Sequence, residues 1–315
     1  MQHSLIKFLQ KRTFKASNSF EPKKTPGIQK LDSGVSFYND IRYGGRYPNS
    51  FLDVYALPDA GKVLHQTLFM VHGGGFTWGD KTDGGLDSGE GFWFFRSFLE
   101  AGFNLVSINY ALAPDYAYPT PIHQMGEAVQ FLQTHGPEYG LDITRIVFWG
   151  GSAGGQLIGQ FVNIQTNPAY AKEMNIEPVL NKTHIKAMIF NSALLDNERF
   201  GKTNDWLTNV LFTKCGQAYF QTQRLPGNQN VIQSNVIRNV SGDFPPSFIS
   251  DANHASFSDQ ARDLEKTLTR LGIPHTFNFY PRKEQKLFHG FEVLETEYGK
   301  DNMQKMLAFL KDHVG

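Results

Sequence analysis

Residues 143 to 160 constrain this chain more than any other stretch. Ile146-Val147-Phe148-Trp149 runs directly into Gly150-Gly151-Ser152-Ala153-Gly154-Gly155, and residues able to go helical follow from Gln156. A β-rich apolar run, a glycine-dense turn and a helix-compatible stretch read as strand, sharp turn, helix. Ser152 holds the centre of G-x-S-x-G, between Gly150 and Gly154. A side chain thrust out of so tight a turn takes strained backbone, and neighbours without Cβ let other backbone segments approach. The turn leaves the Ala153 amide on the same side as the Ser152 hydroxyl, near the positive end of the coming helix. Ser152 is therefore the candidate nucleophile and Ala153 a candidate oxyanion donor.

The surrounding chain supplies a sheet for this turn. Strand-like runs cover Val35 to Tyr38, Phe51 to Leu57, Thr67 to Val71, Asn104 to Asn109, Ile185 to Asn191, Ser247 to Ser250 and Thr276 to Tyr280. Thr67 to Val71 is continuously apolar, as a strand buried on both faces is. Helical spacing marks Phe92 to Leu99, residues 122 to 135, the stretch from Ala261 to Leu271, and a last helix through Met303, Met306, Leu307 and Leu310. The aromatics of Phe92 to Leu99 read first as core. Alternation of strand and helix implies a mostly parallel sheet with right-handed crossovers and helices on both faces, and ligands bind at the carboxyl ends of such strands.

The organisation expected is a short amphipathic helix and polar arm over residues 1–34, then one large α/β domain over 35–315. Residues 194 to 243 break the pattern and read as an inserted lid over the strand ends. With 30 basic and 30 acidic residues the chain carries no net charge, which argues against a nucleic-acid partner. Cys215 is the only cysteine, so no internal disulfide forms. No apolar run approaches the length of a membrane span and the N-terminus lacks a signal-like core. A cytoplasmic protein with a neutral small-molecule substrate is the expectation, with homo-oligomerisation left open.

Two further stretches complete a constellation. His72-Gly73-Gly74-Gly75-Phe76 follows the buried strand, and Gly74 and Gly75 lack the Cβ that would keep their N–H groups from converging on one point. Serine needs a base to become a nucleophile at neutral pH. Among ten histidines, His289 stands apart: it follows the last strand, lies between Phe288 and Gly290, and comes after Ser152 and every acid candidate.

With His72-Gly73-Gly74-Gly75-Phe76, Tyr110-Ala111-Leu112-Ala113-Pro114-Asp115, Gly150-Gly151-Ser152-Ala153-Gly154-Gly155 and His289-Gly290-Phe291 in this order, the chain resembles an α/β-hydrolase. It is similar to the hormone-sensitive-lipase-like esterases, and close to the feruloyl-esterase-like and kynurenine-formamidase-like branches. The resemblance implies Ser152 as nucleophile, His289 as base, Gly74, Gly75 and Ala153 as oxyanion donors, and His72 as a brace of the glycine loop. It implies no metal and no organic cofactor, and a short-acyl ester as substrate. Two departures stand out. Ala111 replaces a family arginine that braces the loop, and the family acid aligns near Asn253, which carries no charge. Asp251 ranks first for the acid, Asn253 second as a neutral orienter, and Asp259 last, because Ser256-Phe257-Ser258-Asp259 resembles a capping box. The rival readings are amide hydrolysis of the formamidase kind and a small-ligand binding protein on a scaffold that has lost its acid.

Overall fold

The computed structural model describes residues 3–20, 27–31, 33–59, 61–82 and 92–314, with Phe92 described by its backbone alone. The strands are β1 (Ile28–Lys30), β2 (Ser36–Arg42), β3 (Phe51–Ala56), β4 (His65–Val71), β5 (Asn104–Ile108), β6 (Leu141–Gly151), β7 (Ile185–Asn191), β8 (Ser247–Asp251) and β9 (His275–Phe279). The helices are α1 (Ser4–Leu9), α2 (Phe92–Glu100), α3 (Thr120–His135), α4 (Ala153–Thr166), α5 (Pro168–Met174), α6 (Trp206–Phe220), α7 (Gln229–Gln233), α8 (Val236–Asn239), α9 (Ser258–Leu271) and α10 (Glu297–Val314).

All the strands join one sheet in the order β1-β2-β3-β5-β4-β6-β7-β8-β9. The first three are antiparallel to their neighbours and the rest run parallel. The architecture is the α/β-hydrolase fold. Register fixes where the strands end: Val71 lies opposite Ile108 and Gly150, Gly150 opposite Phe190, and Phe190 opposite Ile249. The residues one step beyond, His72, Gly151, Asn191 and Ser250, consequently form a line along one edge of the sheet.

A period of two sends alternate side chains to two cores. Phe69, Val71, Ile146 and Phe148 face α3 and α4, whereas Leu68, Met70, Val147 and Trp149 face α2 and α10. Sequence patterning missed β1, a three-residue edge strand with little apolar content, inside the arm expected to be irregular. The N-terminal helix is shorter than the run Met1 to Phe14, ending at Leu9 before a wider turn over Gln10–Phe14. Residues 194 to 243 hold α6, α7 and α8 joined by turns.

Close packing of α4 on β4 dictates one glycine. A Cβ on Gly154 would stand 2.0 Å from the Val71 carbonyl oxygen. Gly126, inside α3, has open space where its Cβ would be. We predict opposite outcomes for the same chemical change. Gly126→Ala should raise stability by about 0.5–1 kcal/mol through helix propensity. Gly154→Ala should lower it by about 1–3 kcal/mol, because overpacking outweighs the same propensity gain. Urea unfolding of the two variants beside the wild type measures both.

Candidate active site

Ser152 sits between β6 and α4 at φ 53° and ψ −120°, a conformation that L side chains rarely adopt. Three bonds hold it there. Its N–H donates to the Asn191 carbonyl at 3.1 Å, and its own carbonyl accepts from Leu194 at 3.1 Å and Gln156 at 3.3 Å. The flanking glycines are forced, since a Cβ on Gly150 would come within 2.5 Å of the Gly154 backbone. The sequence reading of a sharp, strained turn matches this geometry, and the Ala153 amide opens the helix beside it.

The glycine loop lies against this turn, with the Cβ position of Gly73 only 3.2 Å from Ser152 Cβ. Gly74 and Gly75 adopt φ 84° and 57°. The Gly74 carbonyl turns back to accept the Thr77 and Trp78 amides at 2.9 and 3.1 Å. The amides of Gly74, Gly75 and Ala153 donate to no backbone carbonyl or side chain among the described residues. Donors left unpaired by the protein are what an oxyanion requires. His72 stacks on Tyr110 with ring centroids 4.2 Å apart, and the Tyr110 hydroxyl reaches the His72 and Gly73 carbonyls at 3.1 and 2.9 Å. These contacts brace the loop from behind.

Where Ala111 stands in place of an arginine, side chains from three other segments hold the loop. Gln124 accepts the Ala111 amide at 2.7 Å. Asn18 clamps Leu112 by both its N–H and its carbonyl, at 2.7 and 2.8 Å. Gln10 donates to the Thr77 and Ala113 carbonyls at 2.7 and 2.8 Å, and so ties the two loops together. The N-terminal arm is thus built into the support of the glycine loop.

At the other side, His289 Nδ1 lies 2.8 Å from Ser256 Oγ. Its half-buried ring packs edge-on against Phe212 and Phe257, and desolvation by these neighbours lowers its pKa to about 4. Asp251 ends β8 fully buried and accepts the Phe257 amide at 3.3 Å. Burial raises its pKa well above the usual range, Glu292 pushes the same way, and the Ser256 hydroxyl opposes them by hydrogen bonding to the charged form. Ser256 thereby stands between Asp251 and His289. The sequence expectation was direct contact of Asp251 with the imidazole.

The other acid candidates are occupied elsewhere. Asn253 donates to the Tyr280 and Gln285 carbonyls at 3.0 and 2.8 Å and accepts the Leu287 amide at 3.1 Å, pinning the loop that leads to His289. Asp259 accepts from Arg199 at 2.9 Å on the surface. No capping box forms, because α9 is capped at Phe257 without a side-chain bond and Ser256 has turned to the histidine. Glu292 was not singled out in the sequence. The side chain is fully buried, its pKa is raised to about 7 by burial, and Ser192 lies 2.9 Å from both its oxygens. Its only signal was position, three residues after His289.

Ser152 and His289 line one cavity of about 580 Å³, within the usual range for small-molecule sites. Its wall is mostly apolar, with Met70, Phe94, Phe95, Trp149, Phe212 and Leu294, while Asn191, Ser192 and Glu292 make a polar corner. Phe94 and Phe95 serve as core and wall at once, where the sequence pattern favoured core over pocket. Among the described residues no cluster of histidine, cysteine or acidic side chains suits a metal ion, and no helix is long and apolar enough to cross a membrane.

Comparison with known proteins gives a consistent set of relatives. The BD-FAE family model matches residues 52–268. A probable carboxylic ester hydrolase of Mycobacterium tuberculosis is 24% identical over 258 residues, 77% of this chain and 56% of the relative. An acetyl esterase of Salmonella enteritidis is 26% identical over 234 residues, 71% of this chain and 65% of the relative. The chain thus spans less than two thirds of the length of these relatives. Esterase B of Lactobacillus rhamnosis superimposes with a TM-score of 0.73 at 19% identity, over 90% of this chain and 87% of that one. A hyperthermophilic esterase of Pyrobaculum calidifontis gives 0.66 at 20% identity, over 87% and 84%.

The geometry at Asn253 generates a prediction. An aspartate there faces two carbonyls it cannot donate to. Asn253→Asp should therefore lower stability by about 1–3 kcal/mol for each buried carbonyl left unpaired. Thermal and urea unfolding at pH 7 should show the loss, and an unchanged midpoint would count against the loop-pinning role.

Proposed function

The chain belongs to the BD-FAE family of α/β hydrolases, and from that membership and the geometry at Ser152 we propose that it is a serine carboxylic-ester hydrolase working through an acyl-enzyme. The observation that carries this reading is the convergence on one cavity of a strained serine, unpaired loop amides and a half-buried histidine. Ser152 Oγ attacks the ester carbonyl carbon while its proton passes to His289 Nε2. The carbonyl oxygen becomes an oxyanion held by the amides of Gly74, Gly75 and Ala153, each worth on the order of 3 kcal/mol. Collapse expels the alcohol, which takes the proton from His289 and leaves Ser152 acylated. Water then repeats the sequence and releases the acid.

For Nε2 to accept, the imidazole must carry its proton on Nδ1 and donate it to Ser256 Oγ. The Ser256 hydroxyl then turns its own proton toward Asp251, so the acid acts through a serine. This arrangement accounts for a histidine whose basicity burial depresses: it is neutral and ready to accept at pH 7, and the imidazolium is stabilised when the oxyanion forms. The apolar wall suits a short acyl chain, in keeping with the acetyl esterases among the relatives. In this reading residues 194–243 form the lid over the strand ends, with Phe212 reaching the cavity. The described part of the N-terminal arm, through Gln10 and Asn18, supports the glycine loop. Cys215, a buried free thiol, agrees with a cytoplasmic setting.

Turnover of p-nitrophenyl acetate and butyrate tests the scheme. Ser152→Ala should lower kcat by about 10⁴-fold or more, as removal of a nucleophile does in serine hydrolases. Asp251→Asn and Ser256→Ala should each lower it by roughly 10²-fold or more, with the double variant little worse than either single one. Activity retained in Ser152→Ala would exclude the acyl-enzyme. Silent changes at both Asp251 and Ser256 would leave the histidine without a carboxylate, and a weak enzyme or a binding protein would then fit better.

A further inference from the structure

Glu292 belongs to the same cavity and has no part in the mechanism above. Ser192 Oγ, 2.9 Å from both carboxyl oxygens, donates to the carboxyl and accepts the Gly290 N–H at 3.2 Å. Ser192 is itself held at φ 45°, with its amide on the Ser250 carbonyl at 2.9 Å. The Asn191 carbonyl just before it takes the Ser152 amide at 3.1 Å. The last residue of β7 and the one after it thus hold the nucleophile by a carbonyl and the histidine loop by a hydroxyl. A hydroxyl that donates in one direction presents its lone pairs in others. Glu292 therefore decides which way Ser192 faces Gly290.

Resting on the esterase reading, we propose that Glu292 is a positioning residue for His289: it fixes Ser192, Ser192 fixes the Gly290 amide, and that amide fixes the backbone from which the imidazole projects. Around the carboxyl, the Ser192 hydroxyl donates at 2.9 Å and the Glu292 amide also donates, while the Ser250 hydroxyl lies at 3.4 Å and has Asn191 Oδ1 as its nearer acceptor at 3.1 Å. A carboxylate takes the Ser192 proton, whereas a protonated acid donates to a serine oxygen and so reverses the Ser192 hydroxyl. Burial sets this ionisation near pH 7. The titratable groups turned toward Glu292 are Asp251 of β8 and Tyr280 after β9, both of which feel its charge, and His289 on its own loop. The tether is firm above pH 7 and slackens below it, where the carboxyl no longer holds the Ser192 proton.

The test is kcat and KM for p-nitrophenyl butyrate from pH 4 to 9 in the wild type, Glu292→Gln, Ser192→Ala and the double variant, with fluorophosphonate labelling of Ser152 alongside. Wild-type kcat should rise with pH through an inflection near 7, above the range set by His289 at about 4. Each single variant should lose that inflection and about 10-fold to 100-fold in kcat, the scale of a misplaced catalytic group. KM should stay within about twofold and the double variant should be no slower than the singles, since all act on one tether. An inflection near 7 that survives in Glu292→Gln, or losses that add in the double variant, would overturn the assignment. Should Glu292→Gln fail to fold, Ser192→Ala, which removes only a hydroxyl, decides the matter by the same profile. A wild type with neither turnover nor label at Ser152 defeats the esterase reading. A labelled, active wild type with unaltered variants defeats the Glu292 assignment alone.

Discussion

The backbone at Ser152 is held at φ 53° and ψ −120°, and the rest of the site is arranged to keep it there. Such a conformation costs of order 1–3 kcal/mol and persists only where the surroundings over-determine it. Here the surroundings are specific. Asn191 takes the amide, Leu194 and Gln156 take the carbonyl, and Gly154 lets α4 sit on the Val71 carbonyl at a distance that no Cβ allows. The strain is thus offset by the packing of β4, β6 and β7, which register places level with one another.

The same strand ends carry the polar chemistry. A parallel sheet leaves its last carbonyls and amides pointing past the core, and the loops there must satisfy them. In this chain Asn191, Ser192, Ser250 and Asp251 occupy that line, and the Asn191 carbonyl with the neighbouring side chains links the Ser152 turn to the histidine loop. Two buried acids and a half-buried histidine follow from this arrangement. His289 is depressed and Asp251 and Glu292 are raised, in each case chiefly by desolvation of the charged form. Their neutral forms are favoured by the apolar wall that also suits an ester.

How much of this was legible varies with the range of the interaction. The strand at Thr67 to Val71 was readable because double-faced burial demands a continuously apolar run. β1 was not, since an exposed edge of three residues asks nothing of its side chains. The turn at Ser152 was readable because its glycines are required within five residues of chain. The partner of His289 was not. Ser256 and Asp259 look like a helix cap by local spacing, yet Ser256 is taken by a histidine that is 33 positions away and Asp259 by Arg199. Ala111 looked like a lost brace because the replacement, Gln10, Asn18 and Gln124, comes from other segments.

By itself, therefore, the sequence determined the sheet order class, the strained turn that exposes Ser152, and the glycine loop that faces it. Each depends on residues adjacent in the chain or on burial that leaves a periodic trace. Tertiary structure decided which polar side chain meets His289, that Asn253 is a pin in the loop, and that Glu292 and Ser192 join the histidine loop to the Ser152 turn. Those choices turn on hydrogen bonds between side chains brought together only when β7, β8 and the last loop are level, and short polar residues such as serine and asparagine leave no pattern that announces their partners.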